Sequence, residues 1–258
     1  MRKCIVRFVT GIRFQGIYES IFRTLIKLMN YNRGHIPTTS GELDFIKTLH
    51  LYINNKKTII FDVGANIGDY TTLILENYKS ECLLYSFEPS KYAFDKLSQI
   101  KSDNFFPINT ALSSTVGTAQ LFFDKEGTDL ASLHQLKSTN SVELNKSERI
   151  VTDTIETFCK ANNIDFIDFL KIDVEGYELE VLKGAKEMIS EGKISIIQFE
   201  FGIQATETRI FIKDFFDILS DYKIYRIVQK GIKEIKYSEY TELFFLTNYI
   251  AMHKSIKQ

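Results

Sequence analysis

Along this chain, short β-branched apolar runs alternate with longer stretches in which apolar residues recur at helical spacing. The alternation is sharpest in residues 58–75, where Ile59-Ile60-Phe61 is typical of a buried strand that breaks just before Gly64. Helical spacing follows, and Gly68 lies where that helix would begin. A strand that turns sharply into a helix through glycines is typical of a ligand-binding corner in an α/β sheet, because the helix start has free N–H groups and glycine lets a ligand approach the main chain.

The same pattern continues along the chain and predicts an open α/β sheet. Further strands are predicted at residues 82–87, 105–109, 119–124, 167–173, 194–199, 223–228 and 243–247. Further helices are predicted at residues 92–100, 153–161, 177–189 and 207–219. The polar residues 125–148 are expected to form a loop over the site, and residues 229–240 a solvated hairpin.

The residues at the corner favour one ligand over another. A dinucleotide fingerprint needs three glycines, and the middle one leaves room for a pyrophosphate. Here Asn66 takes the middle position and would crowd a pyrophosphate, while the carboxylate of Asp62 would repel one. A carboxylate can instead receive the ammonium group of a nucleoside that carries an amino acid. The corner therefore favours S-adenosylmethionine, although tight strand–helix turns also occur for structural reasons alone.

Polar side chains end five of the predicted strands, namely Asp62, Glu88, Asn109, Asp173 and Glu200. Ligands of open α/β sheets collect outside the carboxyl ends of the strands, and buried carboxylates are costly unless they pair or bind something. Glu88 lies about one βαβ repeat beyond Asp62, where an acidic residue reaches ribose hydroxyls. Asn109 could read the adenine edge, and a turn-forming role is equally open for it.

Composition is typical of a globular protein. The 258 residues fit one large α/β domain, and 32 basic against 33 acidic residues do not suggest a nucleic-acid binder. Cys4, Cys82 and Cys159 are scattered and odd in number, which predicts buried free thiols in a reducing, cytoplasmic compartment. No apolar run approaches the length of a membrane span.

The first 33 residues hold the one local excess of charge. Seven basic residues stand against the single acid Glu19, and apolar residues between Ile17 and Leu28 fall near helical spacing. One interpretation is a basic amphipathic helix on an anionic membrane or a partner protein. The other, which we favour, is a helix that caps the sheet and turns its basic face to solvent.

Two units are expected, with residues 1–57 as an N-terminal helical extension or cap and residues 58–258 as the sheet domain. Pro37 marks a linker within the first unit. Thr39 and Glu42 have the spacing of a capping box, which predicts a helix from there through about Leu51.

Several of these blocks together resemble the FkbM-like methyltransferases. The resemblance is carried by residues 61–68, 87–89, 109–112 and 171–185, and it spans roughly residues 58–200. It implies an α/β fold of the class I methyltransferase type, a Rossmann-like open sheet of seven strands whose last strand is antiparallel. It also implies S-adenosyl-L-methionine as the cofactor and O-methylation of a hydroxyl on a sugar, surface glycan or small metabolite.

The resemblance also implies roles for individual residues. The methionine part of the cofactor would lie against Asp62, Gly64 and Gly68, the ribose on Glu88 and the adenine near Asn109. Asn66, in the block of residues 61–68, and Asp173, in the block of residues 171–185, complete the expected cofactor-binding set.

A hydroxyl acceptor must lose its proton, so the site needs a base. The candidates are Asp173, Glu200 and His134. Asp173 is preferred because it ends the strand beside the cofactor strand, but it could instead cap the following helix. With Glu175, the two acidic candidates could also hold a hard cation, yet carboxylates alone do not require one and no metal is assigned.

Two other functions stay open at this point. A nicotinamide-dependent oxidoreductase is disfavoured by Asn66 and Asp62 at the phosphate corner. A non-catalytic partner-binding module is disfavoured because the acidic strand-end set is intact. The expected partner is a small-molecule or glycan acceptor and not a nucleic acid, and residues 1–33 could contact a membrane or another protein.

Overall fold

The computed structural model describes residues 10–31, 37–53, 55, 57–125, 131–133 and 144–256. These residues form eleven strands: β1 (Thr58–Val63), β2 (Cys82–Phe87), β3 (Phe105–Ile108), β4 (Ala111–Leu112), β5 (Gly117–Phe123), β6 (Lys146–Asp153), β7 (Ile167–Ile172), β8 (Ile194–Phe201), β9 (Tyr222–Val228), β10 (Gly231–Glu234) and β11 (Thr247–His253).

The same described residues form ten α-helices: α1 (Ile12–Leu28), α2 (Pro37–Ser40), α3 (Glu42–Leu49), α4 (Asp69–Asn77), α5 (Lys91–Leu97), α6 (Ile155–Ala161), α7 (Glu178–Lys183), α8 (Lys186–Ser190), α9 (Gln204–Thr208) and α10 (Ile212–Ile218). A 3₁₀ turn covers Glu239–Thr241.

The main sheet has eight strands in the order β10-β9-β11-β8-β7-β1-β2-β3. Strands β3, β2, β1, β7 and β8 are parallel, and β11 is antiparallel to both β8 and β9. The expected class I arrangement, with an antiparallel last strand, is confirmed. The sheet has one strand more than the seven expected, because the chain turns back after β9 and adds β10 at the edge.

Both faces of the sheet are covered, as near-continuous apolar strands require. Along β1, Phe61 and Val63 belong to one buried cluster and Ile60 to the other, because successive side chains point to opposite faces. Helices α6, α7, α8 and α10 pack against the first cluster, while α3, α4 and α5 pack against the second. A small sheet, in the order β4-β6-β5, contains the predicted hairpin strand near residue 119.

The N-terminal helix differs from the favoured prediction. Within α1, whose residues are all described, Ile26 alone is buried. It is α3 that packs on the sheet, with Phe45, Ile46 and Leu49 in the buried cluster of that face. The segment before β1 therefore contains a covering helix and, ahead of it, a helix that is largely exposed.

The predicted capping box at Thr39 and Glu42 is wrong. Helix α3 begins after Gly41, which has a φ of 96° and makes no side-chain cap. The Glu42 carboxylate instead accepts a hydrogen bond from Ser40 Oγ at 2.7 Å and is buried. The spacing of the motif is present, but the Glu42 carboxylate bonds to the Ser40 side chain and not to the backbone N–H group that a capping box requires.

Three further boundaries differ from the predicted ones. The helix expected at residues 177–189 is divided near Gly184, where a Cβ would lie 2.0 Å from the carbonyl oxygen of Ser113. The helix expected at 207–219 is divided at Arg209, whose φ is 56°. The last strand lies at Thr247–His253 and not at 243–247, and it pairs there with both β8 and β9. Its polar Asn248 is buried within the sheet and bonded to Gln198 at 3.1 Å.

Candidate functional site

A cavity of about 520 Å³ opens at the carboxyl ends of the parallel strands. The corner after β1 lines it, as do segments that follow β2 and β7. Its acidic lining residues are Glu42, Asp69, Glu88, Asp95, Glu148, Asp173, Glu175 and Glu200. The volume lies in the range of small-molecule and cofactor sites.

The glycines of the corner are required by packing against the protein itself. Gly64 has a φ of 80°, and a Cβ there would lie 1.8 Å from the carbonyl oxygen of Asp173. Gly68 has a φ of 99°, and a Cβ there would lie 2.5 Å from Ile100 Cδ1. Gly64 lines the cavity, but Gly68 is not among the residues that do. The two glycines let the corner fold, and contact between Gly68 and a ligand stays a prediction.

Glu88 holds the corner in shape and also lines the cavity. Its carboxylate accepts hydrogen bonds from the backbone N–H groups of Asn66 and Ser90, both at 2.8 Å. Burial raises the pKa of Glu88 to about 7, although these two backbone bonds oppose that rise. Asn66 itself has a φ of 47° and lines the cavity. Each carboxylate oxygen can accept two hydrogen bonds, so Glu88 can still accept hydrogen bonds from ribose hydroxyls.

Asn109 does not reach the cavity. It is exposed, and its side-chain amide donates to the carbonyl oxygens of Glu88 and Pro89, each at 2.9 Å. Its side chain therefore joins the end of β3 to the segment after β2, and both its adenine contact and its turn-forming role stay predictions.

A buried polar row crosses the sheet below the cavity. We define it as Ser86, Asp62, Lys171 and Gln198, which are successive register partners on β2, β1, β7 and β8. All four are buried. Because partners in register lie side by side on one face, this row brings together residues that are far apart in the sequence.

Asp62 belongs to this row and is not among the cavity-lining residues. It is fully buried, and its Oδ2 accepts a hydrogen bond from Thr71 Oγ1 at 2.8 Å. Its Oδ1 lies 3.4 Å from Lys171 Nζ, a contact that is an ion pair and not a hydrogen bond. In this structure the cation beside Asp62 is the protein's own lysine, and the expected contact between Asp62 and a cofactor ammonium group stays a prediction.

Lys171 links the buried row to the cavity, which it lines. Its Nζ lies 3.2 Å from Asp173 Oδ2 and 4.7 Å from the centre of the Tyr70 ring. Burial would lower the pKa of Lys171, but the carboxylates of Asp173 and Asp62 outweigh it and raise the pKa above its usual range. The lysine therefore stays charged and fixes the Asp173 side chain at the cavity wall.

The alternative that Asp173 caps the following helix is wrong. Helix α7 begins after Tyr177 and has no side-chain cap. Instead the Glu178 carboxylate accepts hydrogen bonds from the backbone N–H groups of Val174 and Gly176, at 3.2 and 3.0 Å. The Asp173 side chain keeps about a third of its surface exposed and is available to a ligand.

Glu42 and Gln198 form a second polar contact at the cavity. Gln198 Nε2 donates to Glu42 Oε1 at 2.7 Å, and the hydroxyl of Tyr70 donates to Gln198 Oε1 at 2.7 Å. Burial raises the pKa of Glu42 to about 7, against the opposing hydrogen bond from Ser40. A residue from the N-terminal segment thereby becomes part of the cavity wall.

Three carboxylates converge at the end of the cavity nearest β8. Oxygens of Asp173, Glu175 and Glu200 all lie within 4.8 Å of one another. Burial, and then the charges of Asp173 and Glu175, raise the pKa of Glu200 well above its usual range. The oxygens could hold a hard cation, and they suit a positively charged organic ligand equally well.

Of the three base candidates, the structure brings Asp173 and Glu200 together, whereas His134 lies outside the described residues. From the same predicted loop, Ser132 is described and lines the cavity. Its hydroxyl donates to the backbone oxygen of Glu175 at 2.9 Å. Cys82 and Cys159 are buried free thiols, and Cys4 lies outside the described residues.

Sequence reasoning missed Glu42, Lys171, Gln198 and Tyr70. A signal was present for two of them, because a lysine in the apolar run of β7 and a glutamine in that of β8 are expensive to bury without partners. For Glu42 the capping-box spacing concealed the role. Tyr70 could not be distinguished from an ordinary buried aromatic residue.

Comparisons with known proteins agree with this geometry. The sequence profile of the methyltransferase FkbM domain matches residues 62–224. The hexuronic acid methyltransferase AglP of Haloferax volcanii is 27% identical over 188 residues, covering 71% of this chain and 70% of that protein. The methyltransferase sdnD of Sordaria araneosa is 28% identical over 157 residues, covering 50% and 60%.

A solved FkbM methyltransferase from Methylobacillus flagellatus KT has a similar fold, with a TM-score of 0.51 at 16% identity. The similarity covers 81% of this chain, which spans 47% of that longer chain. The profile match covers well over half of the 258 residues and includes the corner, Glu88 and Asp173. The chain therefore belongs to the methyltransferase FkbM domain family.

Proposed function

We propose that this protein transfers a methyl group from S-adenosylmethionine to a hydroxyl of a sugar, a surface glycan or a small metabolite. The observation that carries the proposal is the cavity at the strand ends, in which Glu88 at one side and Asp173 with Glu200 at the other line the same space. A cavity with several carboxylates repels a pyrophosphate, which argues against a nicotinamide cofactor.

The donor set fits S-adenosylmethionine. Glu88 retains acceptor positions for a ribose diol, and the carboxylates near β8 match the positive charge of an ammonium and a sulfonium group. Supplied there, the cofactor would offer a methyl group activated by its positively charged sulfur. The remaining chemistry belongs to the protein, which must orient the acceptor and take up its proton.

Asp173 is the proposed proton acceptor, because it lines the cavity with its side chain partly exposed and is held by Lys171. The surrounding carboxylates also bear on the acceptor. They favour a neutral hydroxyl compound over an anionic one, since like charges repel in a partly desolvated site. The relative AglP is named for a hexuronic acid, so a sugar acceptor is the class to test first, with neutral sugars and uronic acids side by side.

The test is incubation with S-adenosylmethionine labelled in its methyl group, together with fractionated cell extract and a panel of sugars and glycans. Label is expected in a small molecule or glycan, in an ether linkage that resists mild base. Titration by calorimetry should show binding of S-adenosylmethionine and none of NAD. Tight NAD binding without S-adenosylmethionine binding would refute the proposal, and cofactor binding without any labelled product would favour a non-catalytic module.

A further inference from the structure

We propose that α1 lies in the plane of an anionic lipid surface and holds the enzyme there. The helix is an interaction surface separate from the cavity. The proposal rests on its exposed apolar face, on the basic charges beside that face and on its attachment to the enzyme.

The apolar face of α1 is continuous and open to solvent. Ile17, Ile21, Leu25 and Leu28 recur every three or four residues, so they lie on one side of the helix. They are 57%, 49%, 49% and 76% exposed. Leaving four large aliphatic side chains in water has no benefit for a monomer, and such patches mark surfaces that bind something apolar.

Basic residues lie beside the apolar face. Arg13, Lys27 and Arg23 fall on one side of it along the helix, and Glu19 is the single acidic residue of the helix. The nine residues that precede Thr10 add Arg2, Lys3 and Arg7 to the sequence and contain no acid. Basic charge beside an apolar stripe complements a surface with anionic headgroups above an apolar layer.

The helix is fixed to the enzyme at its C-terminal end. Ile26 is buried, the ring of Phe22 lies 6.5 Å from that of Phe245, and the Asn30 amide donates to the Ser40 carbonyl oxygen at 2.6 Å. The chain then continues into Pro37 and Glu42, which line the cavity. The C-terminal end of α1 therefore lies next to a segment that lines the cavity.

The geometry points to a helix on the surface and not through it. Among the described residues, none of the helices is both long and apolar enough to cross a membrane. The polar face of α1 would stay in water while the apolar side chains enter the headgroup boundary. A second copy of the chain is the competing occupant, but pairing two such helices would bring their basic residues together.

The experiment uses the full chain in a flotation assay with two kinds of vesicle, phosphatidylcholine alone and phosphatidylcholine mixed with phosphatidylserine. Binding is expected to the mixed vesicles only, and to weaken as salt is added. Ile21→Glu with Leu25→Glu should weaken it by at least about tenfold, because two apolar side chains are lost from the buried face. Gln15→Glu with Ser20→Glu adds the same charge outside the apolar face and should weaken it less.

Calorimetric titration with S-adenosylmethionine serves as the folding control and should be unchanged in both double variants. Molar mass in solution is measured for each protein. Failure of the wild-type chain to bind the mixed vesicles overturns the proposal. A dimer that the Ile21→Glu with Leu25→Glu variant converts to a monomer also overturns it, since α1 would then be a contact between copies.

Discussion

Asp62 and Lys171 are direct partners in the register of β1 and β7, and the Lys171 ammonium lies 3.4 Å from Asp62 Oδ1 in the sheet interior. The same ammonium lies 3.2 Å from Asp173 at the cavity wall. One buried cation therefore neutralises the buried carboxylate of Asp62 and positions that of Asp173, the proposed proton acceptor. This relationship explains why Asp62, the most prominent acid of the sequence motif, stabilises the site from the sheet interior and does not line the cavity.

Removing that cation should destabilise the protein. Lys171→Met leaves the Asp62 carboxylate buried with no opposite charge, which is expected to cost about 3–5 kcal/mol. Thermal or denaturant unfolding measures the loss. The exposed pair of Lys193 with Glu191, at 2.6 Å, provides the control, since solvent screens its charges and Lys193→Met should change the stability much less. Equal effects of the two substitutions would contradict the assigned role.

Glu88 should contribute to cofactor affinity. Glu88→Ala removes charge-assisted hydrogen bonds worth about 1.5–3 kcal/mol each, so S-adenosylmethionine should bind at least about tenfold more weakly in calorimetric titration. Part of the loss would come from the corner, because Asn66 and Ser90 lose their acceptor. Asp95 also lines the cavity but pairs with Lys91 at the surface, so Asp95→Ala should bind normally. Wild-type affinity in Glu88→Ala would refute the ribose assignment.

Asp173 should matter for turnover more than for stability. Asp173→Asn keeps the size of the side chain and leaves Lys171 paired with Asp62, so the variant should fold and bind the cofactor. Methyl transfer should fall at least about a hundredfold, because the proton acceptor is lost. Parallel assays of Glu200→Gln test the neighbouring acid, and a larger loss there would transfer the role to Glu200. Near-normal turnover in both variants would direct attention to His134.

Buried acids should make the ligand-free protein less stable as the pH rises. Burial, partly offset by hydrogen bonds, raises the pKa of Glu178 to about 7 from an ordinary value of 4.5. The folded state thus binds a proton more tightly than the unfolded state. Its contribution to stability is full below pH 4.5 and is lost as the pH rises through about 7. Glu88 and Glu42 have the same direction and value.

The measurement is the melting temperature at intervals from pH 5.5 to 8, for wild type and for Glu178→Gln. Glutamine keeps an oxygen for the N–H groups of Val174 and Gly176 but cannot ionise. The melting temperature of the variant should therefore fall less steeply with pH than that of wild type. Parallel curves would show that Glu178 does not titrate in this range. A cationic cofactor should offset the wild-type loss, with stabilisation that grows as the pH rises.

The fold could be predicted from the sequence because its signals are local. Apolar β-branched runs, helical spacing after them and glycines at the corner are each read from a few neighbouring residues, and together they indicated the parallel part of the sheet. The strand-end positions of Glu88, Asp173 and Glu200 were predicted in the same way. Prediction failed where long-range packing decides the structure. Strand β11 begins at the end of the expected range because its position is set by pairing with β8 and β9, and Gly184 divides a helix because the backbone of Ser113 passes beside it.

By itself, the sequence determined the order of the elements, the positions of the acidic residues at strand ends and the family. Only the tertiary structure decided which of those residues face the cavity. Register between β2, β1, β7 and β8 turns Asp62 toward Lys171, and after β3 the Asn109 amide donates to the backbone oxygen of Glu88. The packing of α3 brings Glu42 to Gln198 across the sheet. The physical reason is that a side chain's role depends on which partners surround it, and those partners come from distant parts of the chain.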